Sequence, residues 1–138
     1  MSERKQNKKV DKRAPVIVGV GDLVDRSKED GLNPQELLAK ACEHAIQDSG
    51  IKELNKHIDY MGVVRFTVDF LTATNQSNFQ YSNFPRTLAN KLNISAKNEV
   101  YAPMGGNSPQ VLLEDALVKI STGETDCALL SGGEALQT

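Results

Sequence analysis

The sequence predicts an α/β fold with a largely parallel sheet. Short apolar runs alternate with segments of helical periodicity, in the order β-α-β-α-β-α-β. A capping box opens the first helix, and a turn rich in glycine opens the last one. Alternation of this kind indicates parallel strands that are covered by helices.

The elements form a repeating alternation along the chain. The first helix begins at Asn33, Pro34 and Glu36, a capping box with proline at position N1, and ends at Gly50. Its apolar residues form a single stripe, as expected for a helix on one sheet face. Strands are predicted at 16–24, 58–66, 98–102 and 126–130, and further helices at 85–92 and 109–121.

The turn before the last helix is the best candidate site. Gly105 and Gly106 allow the backbone to bend without a Cβ penalty, and Asn107 follows them. Ser108 is predicted to be the N-cap, with Pro109 at the first helical position. A helix N-terminus presents free N–H groups and partial positive charge, so this turn can polarise a nucleophile or hold an anionic oxygen.

Helix 109–121 is apolar on most of its circumference. Only Glu114, Asp115 and Lys119 form a narrow polar strip. A helix of this kind is buried from more than one side. We therefore expect the helix, together with strand 98–102, to associate with a second copy or with a further part of a longer protein.

The sequence resembles the thiolase superfamily. The run from Gly123 to Ala135, GETDCALLSGGEA, is similar to the GEADVVLAGGMES stretch of that family. PVIVGVG at 15–21 resembles the family's first strand, while YSNFPRTLA at 81–89 and GGNSPQ at 105–110 resemble its thiolase-like acetyl-CoA acetyltransferase branch. The resemblance covers residues 14–138 and implies a partial thiolase N-terminal domain.

The resemblance also identifies a departure from the family. Counted back without gaps from Asp126, the family's acyl-accepting cysteine falls on Gly106, and its serine falls on Ser108. Glycine cannot carry a thioester, so no catalytic residue is assigned, and Gly105, Gly106, Asn107 and Ser108 remain the candidate site turn. Ser108 would need a base, and the two histidines, His44 and His57, are distant in sequence.

The sequence gives little support for a reactive cysteine, a dinucleotide site, a metal site or a membrane span. Cys42 and Cys127 lie in apolar patterns and are interpreted as buried structural thiols, which suits a reducing compartment such as the cytoplasm, with peroxisome and mitochondrion left open. The Gly19-x-Gly21 pair lacks a third glycine and a following helix, so we do not interpret it as a dinucleotide fingerprint. No metal-ligand spacing and no membrane-length apolar run are present in the sequence.

The charge is unevenly distributed along the 138 residues. Residues 1–13 hold six basic and two acidic side chains, whereas the whole chain carries a net charge of −2. We interpret 1–13 as a disordered, solvated tail and not as a nucleic-acid-binding arm.

Residues 67–83 form a long polar loop with Phe70, Phe79, Tyr81 and Phe84 set into it. The resemblance implies a segment near a dimer contact or a ligand tunnel. From the residues alone, a mobile surface excursion anchored by one or two aromatic side chains explains the loop equally well.

Three functional hypotheses remain open. By resemblance the chain is the N-terminal part of an acyltransferase of lipid metabolism, acting on a coenzyme A thioester as substrate, without a tightly bound cofactor and inactive in isolation. The second hypothesis is a non-catalytic acyl-CoA-binding or assembly module. The third is an independent small α/β domain, which requires helix 109–121 to expose a polar face. The partners implied are acyl-CoA, a second copy in a homodimer, or a C-terminal half.

Overall fold

A computed structural model describes residues 11–27, 31–67 and 82–134. In chain order, its elements are α1 (Pro34–Asp48), a 3-10 turn (Leu54–Lys56), β1 (Tyr60–Val64), α2 (Phe84–Lys91), β2 (Asn98–Ala102), α3 (Ser108–Thr122) and β3 (Ala128–Ser131). The strands form a three-stranded sheet in the order β2-β1-β3, and both pairings are parallel. The predicted α/β class with a parallel sheet is therefore confirmed.

The helices lie on both faces of the sheet. Met61 and Val63 of β1 join the main core with α1 and α2, whereas Tyr60 and Gly62 point to the opposite face, toward α3. Because side chains alternate along a strand, one short strand thus contributes to both layers. The main core contains fifteen buried residues: Leu38, Ala39, Cys42, Leu54, Ile58, Met61, Val63, Phe66, Phe84, Leu88, Ala89, Leu92, Ile94, Ala96 and Leu129.

The capping box predicted for α1 is confirmed, and a glycine cap that was not predicted ends α3. The Asn33 side chain accepts a hydrogen bond from Glu36 N at 2.9 Å, and the Glu36 carboxylate reaches back to Asn33 N at 3.3 Å, which completes the capping box of α1. At the other end of the chain, Gly123 has φ +80° and caps α3, with Glu124 N donating to Lys119 O.

The cap of α1 allows a matched prediction. Asn33→Ala should lower the free energy of unfolding by about 1 kcal/mol, because the backbone N–H of Glu36 loses its acceptor, the Asn33 side chain. Asn107→Ala should change it by only a few tenths, since the side chain of Asn107 makes no cap hydrogen bond although it precedes α3. Urea denaturation of both variants measures the difference, and equal losses would contradict a role for the Asn33 side chain.

The predicted strand at 16–24 is wrong for the described residues, because none of them forms a strand there. This segment lies along α1 instead, where Val20 N donates to the Asp48 carboxylate at 2.9 Å and His44 Nδ1 donates to Asp22 O at 3.0 Å. A Cβ at Gly21 would overlap backbone atoms of Ala41 and Ala45. The segment therefore approaches α1 too closely for any other residue at that position.

Three further expectations concern loop 67–83, the tail at 1–13 and the outer face of α3. Most of loop 67–83 lies outside the described residues, and so does most of the tail at 1–13, although Arg13 lies over Gly123 and 3.6 Å from the Asp126 carboxylate. Phe84, which the sequence predicts to lie in the loop, is the first residue of α2 and is 1% exposed. The exposed side of α3 carries Val111, Leu113, Leu117 and Val118, so the polar outer face required of an independent domain is absent from this helix.

Candidate functional site

The candidate site turn lies where β2 ends and α3 begins. Residues 103–107 connect the two elements at the carboxyl end of the parallel sheet. Gly105, Gly106 and Asn107 are exposed, and the chain closes the turn with a hydrogen bond from Ser108 N to Gly105 O at 3.0 Å. Ser108 N is thus bonded and Pro109 has no N–H group, so at the start of α3 it is the Gln110 N–H that has no backbone partner, next to an accessible stretch of backbone.

Ser108 does not have the role that the sequence predicted. Asn107 is the N-cap, and Ser108 is the first residue of α3 and is 3% exposed. The Ser108 hydroxyl donates to the carbonyl oxygen of Pro103 at 2.5 Å, which ties the end of β2 to the start of the helix. This hydrogen bond makes the serine a structural element of the turn.

The histidines are not brought to Ser108. His57 follows the 3-10 turn and precedes β1, so it lies at the amino end of the sheet, opposite the candidate site turn. His44 is on α1 and donates to the carbonyl oxygen of Asp22. A serine nucleophile requires a positioned base, and neither histidine supplies one here.

Gly106 occupies a position that does not need glycine. Among the described glycines, only Gly50 and Gly123 have positive φ, so the bend at Gly105 and Gly106 uses backbone angles open to other residues. A Cβ at Gly106 would meet nothing within 4 Å, whereas one at Gly105 would lie 3.2 Å from Asn107 Oδ1. A side chain at position 106 would thus project from the turn without overlap.

Neither cysteine replaces the missing nucleophile. Cys42 is buried in the main core, and this burial raises the pKa of its thiol to about 11. Burial, with a smaller contribution from the charge of Asp59, also raises the pKa of the Cys127 thiol. Both shifts favour the protonated thiol at neutral pH. Cys42 is buried as interpreted from the sequence, whereas Cys127 is only half-buried.

A partly buried hydrogen bond holds α3 against the sheet. The Tyr60 hydroxyl donates to the Asp115 carboxylate at 2.7 Å, and Tyr60 is fully buried. Burial and the neighbouring carboxylate together raise the pKa of Tyr60. This contact fixes the position of α3 and hence of its N-terminus, and the sequence contained no signal for it, since the two residues are 55 positions apart.

A polar contact at the carboxyl end of the sheet likewise has no signal in the sequence. The Glu134 carboxylate accepts hydrogen bonds from Thr67 N at 2.7 Å and from Thr67 Oγ1 at 2.8 Å. Thr67 follows β1 and Glu134 follows β3, and these two strands are neighbours in the sheet. The exposed carboxylate therefore lies on the same edge of the sheet as the candidate site turn.

The described ranges contain neither a metal site nor a membrane-spanning helix. No group of three His, Cys, Asp or Glu side chains there could hold a metal ion. None of the helices in this part of the chain has the length and apolar character needed to cross a membrane. A shallow groove of about 190 Å³ lies beside Glu43, Asn55 and Lys91, at the amino end of the sheet and away from the turn.

Comparisons with known proteins find similar solved structures. No protein-family model and no curated protein matches the sequence. The structure is similar to the crystal structure of a monomeric SCP2-thiolase-like protein type 1 from Mycobacterium smegmatis, with a TM-score of 0.74 and 31% sequence identity. The match covers 91% of this chain and 24% of the solved one, so the chain spans about a quarter of the protein it resembles.

Proposed function

We propose, from the premise that this chain has a thiolase-like fold, that it is the N-terminal part of an acyltransferase that acts on coenzyme A thioesters. The substrate class comes from the resemblance of its motifs to the thiolase-like acetyl-CoA acetyltransferase branch. Its partners in this proposal are acyl-CoA and either a second copy or a C-terminal half. Coenzyme A enters as part of the substrate, and no tightly bound cofactor is required.

The observation that supports this proposal is the candidate site turn. It is exposed, it lies at the carboxyl end of a parallel sheet, and it leads into a helix of fifteen residues that is held by the Tyr60–Asp115 hydrogen bond. Ligands of open α/β sheets bind at this end of the strands. The partial positive charge at the start of α3 would lower the pKa of a thiol placed there and would favour a developing oxyanion.

The same geometry leads us to propose that the chain alone does not transfer acyl groups. Gly106 has no side chain, the Ser108 hydroxyl is bound to Pro103 O, and the two native thiols have raised pKa values. An acyl group would therefore find no activated nucleophile at the turn.

Gly106→Cys tests this proposal, because it restores a thiol at the position where the resemblance places the nucleophile. On incubation with acetyl-CoA, the introduced thiolate should attack the thioester carbonyl carbon. The new S–C bond replaces the bond to coenzyme A, which leaves as a thiolate and takes a proton from water. Mass spectrometry should show one acetyl group on the peptide that contains position 106.

Thr122→Cys is the matched control, since it places an exposed thiol at the opposite end of the same helix. We expect acetylation of the Gly106→Cys thiol to be roughly tenfold faster, because the helix dipole lowers a thiol pKa at the N-terminus and raises it at the C-terminus. Equal rates for the two thiols would contradict a site built around the start of α3.

A second candidate function is a non-catalytic module that binds acyl-CoA without consuming it. The bond between the Ser108 hydroxyl and Pro103 O favours this alternative, because it makes the turn rigid while it removes the only hydroxyl that could react there. The two proposals differ in what a longer protein containing this segment does. Consumption of acyl-CoA by that protein supports the acyltransferase, and binding alone supports the module.

A further inference from the structure

The chain leaves the carboxyl ends of β1 and β2 toward opposite faces of the sheet. β1 is the central strand and leads to α2, which lies on the main core face with Met61 and Val63. β2 is its neighbour and leads to α3, which lies on the opposite face against Gly62. In open α/β sheets, ligands bind in the crevice that such a divergence leaves at the carboxyl ends of two adjacent strands.

Arg65 borders this crevice beside the candidate site turn. Val64 pairs with Ala102, so Arg65 and Pro103 leave the sheet side by side, on strands that lie about 4.8 Å apart. Pro103 begins the connection to α3, and Arg65 is exposed. The fold therefore brings a cationic side chain next to the backbone that leads into α3.

Aromatic side chains orient Arg65. Its guanidinium carbon lies 4.5 Å from the centroid of the Tyr101 ring. Tyr101 in turn stacks on the buried ring of Phe84, with 6.1 Å between the two centroids. A guanidinium stacked in this way contacts the ring through its face, while its N–H groups lie in its own plane. In that plane, arginine binds a carboxylate or a phosphate through two parallel hydrogen bonds.

The charges at this end of the sheet also favour an anion between β1 and β2. The start of α3 adds partial positive charge to that of Arg65. The described residues that follow the three strands, at 65–67, 103–107 and 132–134, include one carboxylate, that of Glu134. Glu134 follows β3, on the side of β1 away from β2, and it accepts two hydrogen bonds from Thr67.

We propose that Arg65 binds an anionic oxygen group, a phosphate or a carboxylate, of the ligand that enters this crevice. The inference deepens the proposed function and rests on it, because an acyl-CoA carries phosphates and its acyl group can end in a carboxylate. Arg65 is then a specificity-determining residue. It retains ligands that carry such a group and takes no part in the transfer of the acyl group.

NMR titration of the 138-residue chain with three thioesters tests the proposal. Acetyl-CoA carries phosphates only, S-succinyl-N-acetylcysteamine carries a carboxylate only, and S-acetyl-N-acetylcysteamine carries neither group. Arg65→Ala should weaken binding of an anionic thioester by at least about tenfold and leave binding of the neutral one unchanged. Arg65→Lys should lose less, since an ammonium group keeps the charge without the planar pair of donors. The amide spectra verify that each variant stays folded.

Lys97→Ala is the matched control. Lys97 is exposed and precedes β2 at the amino end of the sheet, so this variant removes the same charge far from the crevice. A loss for acetyl-CoA identifies the phosphates as the group that Arg65 binds, and a loss for the succinyl thioester identifies the acyl carboxylate.

Four results would each overturn the proposal: no binding of either anionic thioester by the wild-type chain, unchanged binding of both by Arg65→Ala, an equal loss for the neutral thioester, or an equal loss in Lys97→Ala. These titrations measure binding by a chain that keeps Gly106. Their outcome is therefore distinct from acetylation of Gly106→Cys, which can occur when Arg65 binds no anion and can fail when it does.

Discussion

Phe84→Ala should lower the free energy of unfolding by about 3–5 kcal/mol, which is the usual cost of removing a buried phenylalanine side chain. Phe84 is 1% exposed and lies at the centre of an aromatic cluster. Its ring meets Phe66 edge to face at 4.6 Å and stacks on Tyr101 at 6.1 Å between centroids. The substitution therefore removes packing between α2, β2 and the residues that follow β1.

Urea denaturation at a single protein concentration measures this loss. Ile17→Ala is the control, because Ile17 is 81% exposed and its truncation should change the free energy of unfolding by less than about 0.5 kcal/mol. Small domains are stable by only about 5–15 kcal/mol, so the Phe84 variant should be substantially unfolded at moderate urea concentrations. A loss below about 1 kcal/mol would show that the aromatic cluster is not part of the folded core.

Gly21→Val should release residues 15–24 from α1. A side chain at position 21 overlaps backbone atoms of Ala41 and Ala45, and these atoms cannot move without opening α1. Overpacking of this kind costs about 1–3 kcal/mol, which corresponds to a rise of roughly five- to 150-fold in the detached population. The sheet should keep most of its stability, because this segment contributes no strand to it.

Hydrogen exchange reports the release directly. The Val20 amide, which donates to Asp48, should lose its protection in Gly21→Val, while the amides of β1 keep theirs. Gly106→Val is the matched control, since it makes the same chemical change at a position with open space around it. Retained protection at Val20 in the Gly21 variant would mean that the segment is not packed on α1.

What the sequence determined by itself was local. The capping box at Asn33 and Glu36, the helix end just before Gly50 and the strand at 98–102 are all present in the structure. The helix signals depend on contacts within about five residues, so the pattern of side chains is enough to predict them. The apolar run at 98–102 was enough to mark a strand, although that strand forms by pairing with β1. The alternation of such elements also determined the parallel arrangement, because short connections leave few other topologies.

The tertiary structure decided everything that depends on a partner distant in sequence. Residues 16–24 have the apolar pattern of a strand, but a strand forms only when its backbone pairs with a neighbouring strand. Here Gly21 packs closely on α1, and the segment does not join the sheet. Ser108 has the local signature of an N-cap, yet its hydroxyl bonds the end of β2 once strand and helix are brought together. Tyr60 and Asp115 could not be paired in advance, because hydrogen bonds across 55 residues depend on the fold and leave no periodic trace in the sequence.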